Sequence, residues 1–394
     1  MMLFVILLII IEVVTLIVLK EHFSRNSKVL YHIIITFHIL LSIWLWILII
    51  GINTYTGYAD TSFNIWSRMN LNGMITAVVF PRIVVIVFHF TGKFLKRKNG
   101  GYYRSLTNTG TAIAIVIFSL FAHGTLAGRF NFKTEEIKIR IRNLNPSLDG
   151  LRIVQLSDVH LSGFHHHKSL LKEVMKKIAG YNPDFIINTG DFVTCGWREF
   201  EGFDTILASA KGRYGNFAVF GNHDSGSYLP VRTDSALIAN TLRMNEMMYS
   251  SGYYILNDEH TIVNVNGAMV AMIGVTTGGT HPDIIHGDLG KAMYGLESAD
   301  LRIFLCHDPN QWEEDVTGKT DIELTLAGHT HGMQLGILTR KVRWSPSQYF
   351  YPHWNGLYSK GDQQLYVNRG LGVLAIPVRI WMPPEISVIE LQAE

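Results

Sequence analysis

The first third of the chain is apolar in long runs. Met1–Leu19 is interrupted only by Glu12 and Thr15. Leu30–Ile52 follows, with Trp44 and Trp46 near its far end. Gly73–Phe90 is broken by Pro81 and Arg82, and Thr109–Leu126 is the fourth run. Each has the length, about 20 residues, that a helix needs to cross a hydrocarbon core about 30 Å thick. Met1–Leu19 has no basic n-region and no small-residue cleavage site, and three more runs follow it, so it reads as a span and not a signal peptide. Beyond Leu126 the period changes. Ile137, Ile139 and Ile141 alternate within Glu135–Arg142, the pattern of a half-buried strand, and Asn143–Gly150 reads as a turn. Leu151–Leu156, Asp184–Asn188, Phe217–Phe220, Met269–Val275, Leu301–Cys306, Ile322–Leu326, Leu365–Val367 and Ile386–Leu391 are further short apolar strands. Over Ser169–Ile178, Leu170, Leu171, Val174, Met175 and Ile178 fall on one helical face. Strands alternating with helices predict an α/β domain. Thr276–Gly290 and Thr339–Gly361 read as long loops, a length often tied to function.

Charge divides the chain the same way. Of 394 residues, 17% are charged, below the roughly 25% of an ordinary soluble chain. Residues 1–128 carry ten Lys and Arg against three Asp and Glu, net +7; residues 129–394 carry twenty-four against twenty-nine, net −5. The expected organisation is a four-helix transmembrane domain over residues 1–128 and a water-soluble domain over residues 129–394. The loop after the first span holds Lys20, Arg25 and Lys28, and the third holds Lys93, Lys96, Arg97, Lys98 and Arg104. The second has Arg68 against Asp60. Basic loops stay in the cytoplasm, so both chain ends and the C-terminal domain are expected on the extracytoplasmic side of a cell or inner membrane. Glu12 and Arg82 lie at membrane depth. They fit either a pair, or a contact to a head group or cavity, or a tilted helix with Arg82 snorkelling to an interface. His32, His38, His89 and His123 form no metal-ligand spacing and read as packing or interfacial residues. A net −5 argues against nucleic acid as partner of the second domain. Two cysteines, Cys195 and Cys306, exclude a cysteine zinc site and leave their pairing open.

The chemistry sits where the strands end. Asp158 and His160 follow Leu151–Leu156 and, two apart on an extended segment, would project on one side. Asp191 follows Asp184–Asn188 and a glycine. Asn222, His223 and Asp224 follow Phe217–Phe220. His307 closes Leu301–Cys306, and His329 and His331 close Ile322–Leu326. In an α/β fold the ligand crevice lies at the carboxyl ends of the strands, so five segments would bring Asp, Asn and His to one edge. The donor set is nitrogen and oxygen without thiolate, which suits Mn, Fe, Zn or Co.

Asp158-Val159-His160, Gly190-Asp191, Gly221-Asn222-His223-Asp224, His307 and Gly328-His329-Thr330-His331 occur in the order, and at the spacing, of one family pattern: the chain resembles the calcineurin-like metallophosphoesterases over residues 150–391. Gly328–Gly332, Asn368-Arg369-Gly370-Leu371-Gly372, Pro384-Glu385-Ile386 and the apolar N-terminal region look like its membrane-associated phosphohydrolase subgroup. The resemblance implies a sandwich of two mixed β-sheets flanked by helices. It also implies a dinuclear metal centre: Asp158, His160 and His331 on one ion, Asn222, His307 and His329 on the other, and Asp191 bridging. A bridging hydroxide would attack phosphorus in line. His223 would protonate the leaving oxygen or stabilise the phosphoryl oxygens, and Asp224 would orient His223, its plain alternative being a cap on the following turn.

Other residues keep two readings each. His165, His166 and His167 fit a metal or substrate contact, or a solvated helix start. His281 and His286 lie where a cap over the site is expected. Arg369 and Arg379 fit a substrate phosphate or an ordinary salt bridge. About ten residues separate Leu126 from Ile137, which holds the catalytic domain near the bilayer and raises the local concentration of head groups. The expected substrate is therefore a phosphoester or pyrophosphate on a membrane or envelope component, such as a lipid-linked phosphate or glycerophosphodiester. The competing classes are a nucleotide or nucleic-acid phosphodiesterase and a non-catalytic membrane sensor that keeps the metal site.

Overall fold

The structure is a computed structural model that describes residues 2–24, 28–54, 57–99, 104–296, 298–339 and 341–394. Met1 and Arg25 lie outside the described residues. The chain divides into two compact units. One comprises residues 1–57, 67–126 and 375–378; the other comprises 58–66, 127–374 and 379–394.

Among the described residues, four helices are long and apolar enough to cross a membrane: α1 (Met2–Phe23), α2 (Lys28–Asn53), α3 (Ser62–Asn99) and α4 (Arg104–Leu126). Pro81 does not interrupt the third. It sits inside a continuous 38-residue helix, which neighbouring helices and side chains make tolerable. The polar groups of the first unit find each other. Glu12 pairs with Arg82, accepts from Ser42 Oγ at 2.6 Å, and lies 3.2 Å from His38 Nε2. Arg82 also donates to Ser42 Oγ at 2.9 Å and to the His38 carbonyl at 3.3 Å. Arg82 is buried, so it joins α1, α2 and α3 and does not snorkel to an interface. His89 is likewise buried, between Glu21 and Thr107.

In the second unit, strands β1 to β16 and helices α5 to α8 form a layered sandwich. The first sheet runs, in spatial order, β1 (Lys133–Ile141), β16 (Glu385–Ala393), β2 (Arg152–Leu156), β3 (Phe185–Asn188), β4 (Gly215–Ala218) and β5 (Tyr254–Ile255). The second runs β14 (Gly356–Lys360), β15 (Gln363–Val367), β11 (Leu324–Ala327), β10 (Leu301–Leu305), β7 (Ala268–Gly274) and β6 (Glu259–Val265). Both are mixed: β2, β3, β4 and β5 run parallel, as do β7, β10, β11 and β15, while β16 opposes β2, β6 opposes β7 and β14 opposes β15. The inner faces share one core, in which Ile153, Phe185, Ile187 and Phe217 meet Met272, Ile303, Leu305 and Leu326. The outer face of the first sheet packs Val154, Leu156 and Ile186 against α5 (Lys168–Gly180), α6 (Asp204–Leu207) and α7 (Asp234–Ser250). The outer face of the second packs Ile273 and Phe304 against α8 (Leu289–Met293) and Trp312. Burial on both faces is why central strands such as β3 read as unbroken apolar runs.

The strands expected from the pattern are present, and the segments read as long loops are structured. Thr276–Gly290 holds the hairpin β8 (Thr277–Thr280) and β9 (Asp283–His286). Thr339–Gly361 holds β14 and the second strand of the pair β12 (Ile337–Leu338) and β13 (Arg343–Trp344). These strands are two to five residues long and half exposed, so no apolar run announces them. Helix α7 begins at an N-cap, Thr233 Oγ1 accepting from Ala236 N, but buries only Asn240, Met244 and Met248, a stripe too narrow to read.

Arg82→Leu is expected to lower the unfolding free energy of the detergent-solubilised chain by about 3 kcal/mol, because it strands the Glu12 carboxylate. Glu12→Leu/Arg82→Leu together should recover most of that loss in the same denaturation measurement. A double variant as unstable as the single one would show that the pair is not what the site depends on.

Candidate metal centre

Five strand ends deliver the polar groups: β2 leads to Asp158 and His160, β3 to Asp191, β4 to Asn222 and His223, β10 to His307, and β11 to His329 and His331. The backbone turns sharply at three of these ends, after β2, β3 and β11. Asp158, His160, Asp191, His329 and His331 have φ between 44° and 71°, a left-handed conformation that costs a non-glycine residue about 1 kcal/mol or more. Asp158–His160 is therefore not the extended segment expected. Its direction is set by hydrogen bonds from Asp158 N to Gly190 O (2.8 Å), His160 N to Asp191 O (3.1 Å) and Gly372 N to Asp158 O (2.8 Å). Two motif glycines exist for closeness. A Cβ on Gly221 would lie 2.1 Å from Asp191 Oδ1, and one on Gly328 would lie 1.8 Å from Ser157 Oγ and 2.6 Å from Asp158 Oδ2.

The side chains gather in two groups, Asp158 with His160 and His331, and Asp191 with His307 and His329; within each, the ligand atoms lie within 4.8 Å of one another. Asp158 Oδ1 is 3.2 Å from His331 Nε2 and 3.9 Å from His307 Nε2. Asp191 Oδ2 is 3.0 Å from His307 Nε2 and 3.8 Å from His160 Nε2, so it faces both groups. His160 Nε2 and His331 Nε2 confront each other at 3.2 Å. Asp158 Oδ1, Asn222 Oδ1 and His307 Nε2 are buried and make no hydrogen bond. Orphaned buried groups of this kind ask for a partner, and divalent cations fit: the orphans are lone-pair donors of hard and borderline type. The outer nitrogens are already engaged, as ligating imidazoles require. His307 Nδ1 donates to Thr189 O at 2.7 Å, and His160 Nδ1 lies 3.2 Å from Thr194 Oγ1.

Electrostatics agree. Burial opposes charge on His307, but Asp191 and Asp158 outweigh it and push its pKa up to about 10. Burial favours the neutral Asp191, yet His307 and His223 hold its carboxyl well below the usual range. Burial and the neighbouring His307 take His329 down to about 4.

His223 lies beside this cluster. Its ring stacks on Tyr228 at 3.9 Å, and its Nδ1 donates to Thr194 O at 2.6 Å. Asp224 does not orient it. The Asp224 carboxylate accepts from Asp191 N (2.7 Å), Gly221 N (3.0 Å) and Val193 N (3.1 Å), and so fixes the loops bearing Asp191 and Asn222. Burial and nearby Asp191 push Asp224 up to about 8.

The arginines are not phosphate contacts either. Arg379 is fully buried and donates to the carbonyls of Arg369, Gly370 and Gly372, bracing the Asn368–Gly372 loop behind Asp158. Arg369 is buried against Glu385, Glu135 and Asn355. His165 accepts or donates at Ser62 Oγ (2.8 Å), His166 packs edge-on to Trp66, and His167 packs on Phe130; His166 is exposed, the other two are half-buried, and His167 is the N-cap residue of α5. His286 lies between Asp308 and Glu314. His281, at the exposed turn of the β8–β9 hairpin, donates its N–H to Tyr228 OH. Cys195 and Cys306 form no disulfide. Tyr228, Tyr351 (2.9 Å from His329 Nε2), Thr194 and Glu199 are site residues that no motif marks.

Residues 151–333 match the family model of calcineurin-like phosphoesterases. A Bacillus subtilis protein, uncharacterized metallophosphoesterase YkuE, is 30% identical over 267 residues, 66% of this chain and 86% of that one. The chain belongs to this family. Membership and the two ligand clusters make it a metal-dependent phosphohydrolase. The Danio rerio transmembrane protein with metallophosphoesterase domain is 27% identical over 81% of this chain and 72% of its own length, more than residues 129–394 could supply, so that similarity reaches into the apolar helices. The Chlamydia muridarum UDP-2,3-diacylglucosamine pyrophosphatase LpxG is 26% identical over 61% of this chain and 84% of its own.

Gly328→Ala is expected to lose most bound metal and at least about 90% of phosphoesterase activity, since its Cβ must displace Ser157 and Asp158. Metal analysis of the purified full-length variant checks this; a normal metal content would show the loop yields without moving Asp158.

Proposed function

We propose that this chain hydrolyses a phosphodiester or pyrophosphate bond on a membrane-borne substrate, as one of the membrane-associated phosphohydrolases of its family, from a catalytic domain (residues 129–394) on the extracytoplasmic face. The supporting observation is the connection: α4 ends at Leu126 and β1 starts at Lys133, and a linker this short reaches at most about 20 Å. A domain so tethered meets lipid head groups at high effective concentration. The net −5 of residues 129–394 disfavours nucleic acid. The similarity to a protein named as a pyrophosphatase of a diacylated sugar nucleotide points the same way.

In this reading Asp158, His160 and His331 hold one divalent ion and Asn222, His307 and His329 the other, with Asp191 shared. A bound pair of Mn, Fe, Zn or Co supplies Lewis acidity and a water-derived nucleophile. His223, its Nδ1 proton committed to Thr194 O, presents Nε2 to the leaving oxygen and, as the imidazolium, gives it the Nε2 proton and becomes the neutral ring. Tyr228 holds the ring plane by stacking.

The test uses the full-length protein in lipid nanodiscs, stripped of metal and then given Mn²⁺ or Zn²⁺, with p-nitrophenyl phosphate, bis-p-nitrophenyl phosphate and lipid phosphodiesters. Metal-dependent turnover, lost in Asp191→Ala and reduced about 10²–10⁴-fold on poor leaving groups in His223→Ala, is the expected result. Turnover of DNA in place of lipid esters would overturn the substrate assignment. Orientation has its own check: Ser209→Cys, on an exposed turn, should react with an impermeant maleimide in intact cells above the wild-type background. Labelling only after lysis would place the domain inside.

A further inference from the structure

The Thr194–Cys195 peptide joins His223 to a carboxylate on the other side. Glu199 is fully buried and its carboxylate collects four donors: Thr194 N at 2.9 and 3.0 Å, Cys195 N at 2.5 Å, Gly196 N at 3.3 Å and Ser162 Oγ at 2.5 Å. Cys195 N–H and Thr194 C=O belong to one peptide group. That carbonyl accepts from His223 Nδ1 at 2.6 Å. We propose that Glu199 is the positioning carboxylate of His223, acting through the Thr194–Cys195 peptide.

The physical argument has two parts. A peptide group is planar and rigid, so fixing the direction of Cys195 N–H fixes the direction of Thr194 C=O and with it the imidazole. Hydrogen bonds in series polarise one another: an acceptor carboxylate on the N–H enriches the carbonyl oxygen, strengthens its hold on Nδ1–H, and commits the ring to presenting Nε2 to the reaction. No side chain bonds the His223 ring nitrogen from its own loop, because Asp224 is spent on backbone amides. Burial raises Glu199 to about 7 against the pull of its donors, so it is charged at alkaline pH. A second branch leaves the same turn, since Thr194 Oγ1 lies 3.2 Å from His160 Nδ1. Glu199 could therefore act on metal retention, and the test separates the two effects.

This inference rests on His223 acting as the proton donor. The experiment uses full-length protein in nanodiscs at pH 8 with saturating Mn²⁺, and compares phenyl with p-nitrophenyl phosphodiesters. A proton donor matters most for the poorer leaving group, phenol. Glu199→Gln is expected to lower kcat about tenfold on the phenyl ester and under about threefold on the p-nitrophenyl ester, a fraction of the whole acid contribution. KM and bound metal should be unchanged, and the substitution should add nothing in a His223→Ala background. Equal losses on both esters, full additivity with His223→Ala, or loss of bound metal would overturn it. If Glu199→Gln fails to fold, Glu199→Asp, which keeps the charge but shortens its reach, goes through the same comparison. An intermediate leaving-group effect supports the proposal, and wild-type behaviour overturns it. A His223→Ala variant indifferent to the leaving group would remove the proton-donor reading and this inference with it; a sensitive His223→Ala beside an insensitive Glu199→Gln would remove the positioning role alone.

Discussion

Asp158 and Asp191 are two carboxylates placed a few ångströms apart with almost no access to water. Taking an ion out of water costs several kcal/mol even after relaxation, and two like charges side by side add to it. The folded chain answers with three imidazoles against those oxygens, His331, His307 and His160. The answer is incomplete, because three lone-pair donors stay without a hydrogen bond. A site in this condition is built for cations. The rest of the second unit can be understood as what holds the carboxylates close against that cost. Left-handed residues bend the strand ends inward, glycines let backbone touch carboxylate, and Asp224 and Arg379 tie the ligand loops from behind through main-chain groups.

The apolar helices solve a related problem by the opposite route. Glu12 and Arg82 sit in a region where unpaired charge is at least as costly, but there each charge has its counter-charge, and Ser42 and His38 take the remaining valences. One cluster pairs its opposite charges within the chain and joins three helices. The other is left open to a ligand. This difference in satisfaction, more than the residue types, separates a packing device from a reactive site, since both are made of carboxylate, imidazole and hydroxyl.

The ligand set was legible because each member follows a short apolar strand within a few residues, and strand plus polar end is a local signal. Glu12 and Arg82 were legible as anomalies, with a pair as one reading among several, since 70 residues separate them. What escaped was everything carried by the main chain or by distant contact. His223 is held by a carbonyl, and a carbonyl has no residue identity, so the adjacent Asp224 looked like its partner. Arg379 stayed open between a phosphate contact and an ordinary salt bridge because nothing in sequence says its guanidinium turns back onto Arg369, Gly370 and Gly372. The half-exposed hairpins and the narrow stripe of α7 lacked an apolar run to reveal them.

The turn at residues 194–199 shows how far the support of the His223 ring extends. Glu199 grips it from within. From outside, Asp60 pairs with Arg198 at 2.7 Å, and Tyr58 lies under the same guanidinium. Ser62 and Trp66 meet His165 and His166, five and six residues beyond His160. Residues 58–66 belong to the compact unit that bears the metal ligands, although in sequence they are the end of the α2–α3 connection and the first residues of α3. Asp60 is buried while Arg198 is partly exposed, and a buried carboxylate left without its counter-charge costs more than the intact pair contributes. Cutting the chain at residue 129 would leave Arg198 without its carboxylate, one residue from Glu199. The unit that bears the metal ligands thus includes residues 58–66 as well as the chain after α4, and Asp60 and Tyr58 are among the residues that hold the 194–199 turn.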